Sequence, residues 1–144
     1  MKVIFLDFNG VLDNSYDFDL IDKENLDILK GILNQTKAKV VITSSVKNSY
    51  YINNGQHNNI MLYFLEEFKK NNIDFYGMTE YNGLGREKEI KDYLEKHQEI
   101  EAYYIIDDDY YFESMKEHMI KLVPQYNGGN GLKDLPKDLI KSIR

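Results

Sequence analysis

Short, unbroken apolar runs alternate with helical periodicities along this chain, and that alternation restricts its fold more than any other feature. The runs are Val3-Ile4-Phe5-Leu6, Lys39-Val40-Val41-Ile42, Ile73-Asp74-Phe75-Tyr76, Tyr103-Tyr104-Ile105-Ile106 and Met119-Ile120-Lys121-Leu122-Val123. Strict polar/apolar alternation would suit strands half open to water. Continuous runs suit strands covered on both faces, as in parallel sheets. Between them lie stripes at helical spacing: Leu26, Leu29, Ile32, Leu33; Ile60, Met61, Phe64, Leu65, Phe68; Ile90, Tyr93, Leu94, His97; and a short Phe112, Met115, His118. Asp22 fits an N-cap, with Ile21 and Leu26 placed as a hydrophobic staple. Leu135, Leu139, Ile140 and Ile143 predict a closing helix. The pattern predicts an α/β fold: a doubly wound, Rossmann-like, parallel five-stranded sheet.

The length of 144 residues predicts one domain over 1–144. There is no cysteine, which removes disulfides, thiolate zinc sites and cysteine nucleophiles together. The 24 acidic and 18 basic residues give a net charge of −6. Generic nucleic-acid binding is therefore not expected, because lysines and arginines on phosphates supply most non-specific affinity. No apolar run approaches the ~20 residues of a membrane span, and Asp7 comes too early for a secretory signal. The expectation is a soluble, cytoplasmic protein. Residues 48–59, rich in Asn and Tyr, predict a loop over the C-terminal edge of the sheet, either a plain surface loop or one facing a substrate. Gly128-Gly129-Asn130-Gly131 predicts a mobile turn and lacks phosphate-loop spacing.

Ligands of open parallel sheets bind beyond the C-terminal strand ends, near the switch in strand order. The first run ends on Asp7-Phe8-Asn9-Gly10, the second on Thr43-Ser44-Ser45 and the fourth on Asp107-Asp108-Asp109. Arg86 and Lys88 open the helix before the fourth run. Carboxylates gathered in one crevice repel unless a cation holds them. Hard oxygen ligands without His or Cys suit Mg2+, and a free position on that ion suits a phosphate oxygen. Each piece has a plain structural explanation: Asp forms turns, Thr-Ser-Ser starts helices, and Asp109 is expected to cap a helix from Tyr110. Their ordered recurrence at successive strand ends is harder to obtain by chance.

These residues resemble a family. Asp7-Phe8-Asn9-Gly10-Val11-Leu12-Asp13 is similar to the first motif of haloacid dehalogenase (HAD) superfamily phosphatases, Asp-x-Asp-Gly-Val-Leu. Ile42-Thr43-Ser44-Ser45 resembles the second motif, Arg86 or Lys88 the third, and Ile105-Ile106-Asp107-Asp108 the fourth. Arg86-Glu87-Lys88-Glu89-Ile90 and the aspartate triplet look closest to the small HAD domains of Swiss Army Knife RNA repair proteins. The short connections after the first and second motifs leave no room for a large cap domain. The resemblance implies a Mg2+-dependent phosphomonoester hydrolase in which Asp7 attacks phosphorus and forms an aspartyl-phosphate. Mg2+ would be held by the Asp7 carboxylate, the Asn9 backbone carbonyl, Asp107 and Asp108. Thr43 and Ser44 would meet the phosphate, and a basic side chain would offset its charge. Helix phase selects that residue: Arg86 precedes Ile90 by one turn, on the same face, whereas Lys88 lies about 200° round. Lys47, four residues beyond Thr43, is a second candidate for the phosphate, although a solvated surface lysine is the plainer expectation.

One position departs from the pattern. The family places an aspartate two residues after the nucleophile, as general acid and base; here it is Asn9. An amide neither gives nor takes a proton near neutrality, and general acid–base help is worth about 10²–10⁴ in rate. Asn9 therefore predicts impaired turnover with metal binding retained. The intact remaining motifs favour an engineered Asp-to-Asn change over a natural member with altered activity. An alternative reading is a non-catalytic HAD-like domain that binds a phosphate or nucleotide. A receiver-type signalling domain fits poorly, because the third run ends at Tyr76-Gly77 without an aspartate. His57, His97 and His118 show no metal-ligand spacing, and His97 is expected to pack. Tyr50, Tyr51 and Tyr110 are candidates for stacking on a base. The expected substrate is phosphorylated: a nucleotide, a nucleic-acid end or a small phosphomonoester.

Overall fold

A computed structural model describes residues 1–144. Five strands form one parallel sheet: β1 (Lys2–Leu6), β2 (Lys39–Ile42), β3 (Phe75–Met78), β4 (Ala102–Asp107) and β5 (Met119–Lys121), in the order β3-β2-β1-β4-β5. Five α-helices connect and follow them: α1 (Lys23–Thr36), α2 (Asn48–Ile52), α3 (Asn59–Lys70), α4 (Arg86–Lys96) and α5 (Lys137–Ser142). The chain runs outward from β1 through β2 to β3, then returns past β1 to β4 and β5. The strand order therefore reverses beside β1, where a crevice opens at the C-terminal strand ends.

The unbroken apolar runs are explained by burial on both faces. Ile4, Leu6, Val40, Ile42 and Ile106 face α1 and α3 through Leu26, Leu29, Ile32, Met61, Phe64 and Phe68. Val3, Phe5, Val41 and Ile105 face the other way, onto Ile90, Tyr93, Phe112 and Met115. Helix α1 starts where local chemistry predicts: the Asp22 carboxylate accepts from the Asn25 N–H. Asn25, wholly buried, donates to the carbonyls of Asp13 and Asn130 and accepts from the Lys133 N–H. It thereby ties α1 to the β1 loop and to the C-terminal segment. No helix is long and apolar enough to cross a membrane.

Several local expectations are corrected. Strand β3 lies later than the apolar run 73–76, because the register with β2 shifts between Val40 and Val41. Ile73 is buried as a core plug ahead of the strand. Residues 48–59 are not one loop: a 3-10 turn over Ser45–Lys47 continues into α2, and Asn58 caps α3 through the Met61 N–H. Asp109 caps nothing. The helix it was expected to start is a 3-10 segment over Glu113–His118, preceded by Phe112 without a side-chain cap. Asp107 makes the turn instead, its Oδ1 accepting from the N–H groups of Asp109 and Tyr110 at 2.9 and 3.1 Å. Helix α4 ends at Lys96, so His97 lies just beyond the apolar stripe, stacked on Tyr93 and bonded to Glu99. In the closing segment Leu139 is exposed, and Ile143 beyond α5 supplies the buried contact.

Candidate active site

Strand alternation sets the geometry of the first loop. Phe8 points into the core, stacked on Phe64 at 4.1 Å between ring centroids, and its full burial is worth about 1.5–3 kcal/mol. That anchor leaves the flanking Asp7 and Asn9 on the crevice side, where both line a cavity of about 410 Å³ with Ser45, Arg86 and Asp108. Phe18, Tyr110 and Tyr126 border the same cavity. Gly10 has φ +78°, and a Cβ there would run into the Asp108 carboxylate. Only glycine lets the β1 loop and the end of β4 approach so closely.

Asp7, Asp107 and Asp108 are all buried, and each offers a carboxylate oxygen within 4.8 Å of the others. Arg86 enters this cluster from the first turn of α4. Its Nη1 lies 2.7 Å from Asp107 Oδ2 and 3.3 Å from Asp7 Oδ2, with the Tyr110 ring 4.6 Å from its guanidinium carbon. Burial pushes the Asp7 carboxyl up to about 7; Arg86 opposes this, while Asp107 and Asp108 reinforce it. Burial likewise raises Asp108, against the hydrogen bond from the Gln125 backbone N–H. Burial alone would lower Arg86, but Asp7 and Asp107 outweigh it and hold the guanidinium charged.

Three buried carboxylates with one guanidinium form a donor set short of positive charge. Hard oxygen ligands of this kind fit Mg2+. The Asn9 carbonyl accepts no backbone hydrogen bond in the fold. Asp7, Asp107, Asp108 and that carbonyl are the groups available to such an ion.

Thr43 and Ser44, at the end of β2, are buried beside this cluster. The Thr43 Oγ1 has no hydrogen-bond partner and borders a cavity of about 250 Å³ shared with Ser45, Lys47 and Arg86. An orphaned buried hydroxyl is costly, of the order of 1–3 kcal/mol, unless a ligand meets it. Lys47 is not the solvated lysine expected. Its side chain is 1% exposed and its Nζ lies 2.6 Å from Glu89 Oε1. Burial lowers the lysine, and the Glu89 hydrogen bond and charge only partly restore it. The lysine is buried because α4 brings Glu89, three residues after Arg86 and on the same helix face, directly over it. Lys88 points to solvent and pairs with Asp92.

The remaining candidates lie outside the cluster. Tyr50 stacks on His57, the Tyr51 ring lies near Lys47, and His118 stacks on Tyr103. Of the tyrosines singled out for stacking, Tyr110 borders the carboxylate cavity. Sequence reasoning missed Asp13, Asp19 and Gln125. Asp13 is wholly buried; it accepts from the Gly10 N–H, the Asp19 N–H and the side chains of Asn9 and Gln125. Gln125 follows Pro124 just past β5, so inspecting the fifth strand end like the others would have found it. A cavity of about 640 Å³ lies at the opposite end of the sheet around Lys30, Lys37 and Lys39, away from the carboxylates.

A family model described as the HAD domain in Swiss Army Knife RNA repair proteins matches residues 3–134. The chain belongs to that family. The match spans all five strands and the carboxylate crevice, so the sheet is the HAD-like Rossmann fold, without a cap. Membership supports a phosphatase-like hydrolase acting on phosphorylated substrates. No curated protein and no solved structure matches the chain.

Proposed function

We propose that residues 1–144 act as one HAD-type, Mg2+-dependent phosphomonoester hydrolase with Asp7 as nucleophile. The observation that carries this reading is the buried convergence of Asp7, Asp107 and Asp108 around Arg86. A bound Mg2+ would neutralise charge on the transferring group. A carboxylate oxygen of Asp7 attacks phosphorus, the bond to the leaving oxygen breaks, and an aspartyl-phosphate forms. Arg86 supplies positive charge toward the phosphoryl oxygens. The Thr43 Oγ1 donates the hydrogen bond it makes nowhere else, with Ser44 beside it. Lys47 contributes through its charge and by holding Glu89 under Arg86. Water then releases phosphate and regenerates the Asp7 carboxylate. The leaving oxygen takes its proton from solvent, because Asn9 has none to give.

Slow proton transfer predicts slow turnover, with Asp7 accumulating in its phosphorylated form. The family's description concerns RNA repair proteins, so a phosphorylated nucleic-acid end is the first substrate class to test, beside nucleotides and small phosphomonoesters. The test is Mg2+-dependent phosphate release from such a panel, with mass spectrometry of the protein. The expected result is weak hydrolysis and a phosphate adduct on Asp7, both lost in Asp7→Asn while the fold survives. Neither signal on any substrate would leave the second reading, a non-catalytic phosphate-binding domain. Asn9 is the residue that favours that reading.

A further inference from the structure

We infer that Asn9 is a positioning residue. Its amide latches the segment between β1 and α1 onto the loop that carries Asp7. Both readings of Asn9 offered by the sequence treat the amide as a lost acid. Its surroundings use both hydrogens of the amide. Asn9 Nδ2 donates to Asp13 Oδ2 at 2.9 Å and to Asp19 Oδ1 at 2.7 Å. Two carboxylate acceptors on one nitrogen fix the orientation of the side chain, since only the NH2 end has two hydrogens to give. Asn9 Oδ1 makes no hydrogen bond within the chain and Asn9 borders the crevice. The group offered to a substrate or water there is therefore an acceptor.

The partners are themselves built for this contact. Asp13 is 0% exposed, and its two oxygens receive Gly10 N–H and Gln125 Nε2 on one side, Asn9 Nδ2 and Asp19 N–H on the other. No cation pairs with it, so neutral donors alone solvate its charge, and Asn9 is one of four. Asp19 sits at φ +64°, a left-handed conformation that L side chains adopt at a cost. Its N–H to Asp13 and its carboxylate to Asn9 hold it there. Phe18, the neighbouring residue, is 59% exposed and borders the Asp7 cavity. The latch thus sets where one wall of the cavity stands. An aspartate at position 9 would remove two donors and bring a third carboxylate against Asp13 and Asp19.

The role assigned to the latch in catalysis rests on the proposed phosphatase reading, but its test does not. Melting temperatures are measured at neutral pH for the native chain, Asn9→Asp, Asp19→Asn and the double variant. Asn9→Asp is expected to lower the melting temperature by about 3–8 °C. Asp19→Asn is expected to recover part of that loss, because its amide can donate to the new carboxylate and one negative charge is gone. An equal loss in both backgrounds, or a gain from Asn9→Asp alone, overturns the latch. If Asn9→Asp yields no folded protein, Asn9→Ala and Asp19→Ala are combined. A double variant no worse than the poorer single one supports the latch, and additive losses overturn it. Phosphate release is assayed on the same proteins. Rescue by Asp19→Asn in chains with no activity would sink the phosphatase reading and leave the latch standing; additive melting with clear hydrolysis would do the reverse.

Discussion

At the scale of single residues, the site is defined by groups whose demands the fold leaves unmet. Thr43 is the sharpest case. Its hydroxyl is buried without a partner, so it lowers stability unless a ligand uses it. Thr43→Val keeps the shape and removes that unmet donor. Urea denaturation is expected to show no loss of stability, with a gain of up to about 1–3 kcal/mol, while phosphate release or adduct formation on Asp7 falls. A stability loss above ~1 kcal/mol would show that the hydroxyl serves the fold. Asn9 is the converse: it was read from sequence as a defect, yet each hydrogen of its amide has a carboxylate acceptor. The aspartates that answer it lie four and ten residues further on, and no short motif carries that relation.

At the scale of elements, local chemistry placed some boundaries and long-range pairing moved others. The Asp22 cap of α1 was legible because the acceptor and the N–H it serves are three residues apart. Burial alone would raise the Asp22 carboxyl, but hydrogen bonds from Lys133 and Asn14 and from the Asn25 N–H hold it below its ordinary 3.8. A carboxyl depressed in the folded state stabilises above its unfolded value, and that contribution is lost as pH falls through the folded value. Asp22→Ala is therefore expected to cost about 0.5–2 kcal/mol near neutrality. In urea titrations the gap to the native chain should close as pH drops below 3.8. A gap that stays constant with pH would exclude the ionised cap. The start of β3 was not legible, because its register shift is a property of pairing with β2. The cap at Asp109 failed for a similar reason: no helix starts at Tyr110, and the Phe112 N–H that such a cap would serve meets Met119 Sδ from the start of β5.

For the whole molecule, the crevice stores repulsion that a divalent ion would relieve. Three buried carboxylates share one arginine, and burial lifts Asp7 to about 7. An ion that binds the folded state alone stabilises it by about 2.7 kcal/mol at one hundred times its dissociation constant. That is on the order of 10 °C in melting temperature for a chain of this size. Mg2+ should raise the melting temperature, chelation should reverse the shift, and Asp107→Asn should abolish it; an unchanged transition in Mg2+ would remove the ion from the proposal. The apolar runs and stripes determined a parallel α/β sheet, because burial on both faces leaves its mark in consecutive residues. Residue order determined which polar groups end each strand. Only the tertiary structure decided that the ends of β1, β2 and β4 meet Arg86 in one place, that Lys47 is buried on Glu89, and that Asn9 is held by Asp13 and Asp19. The first two are contacts between segments brought together by strand order and helix packing, and the third follows the path of one loop; their energies depend on burial and distance, which a linear sequence does not contain.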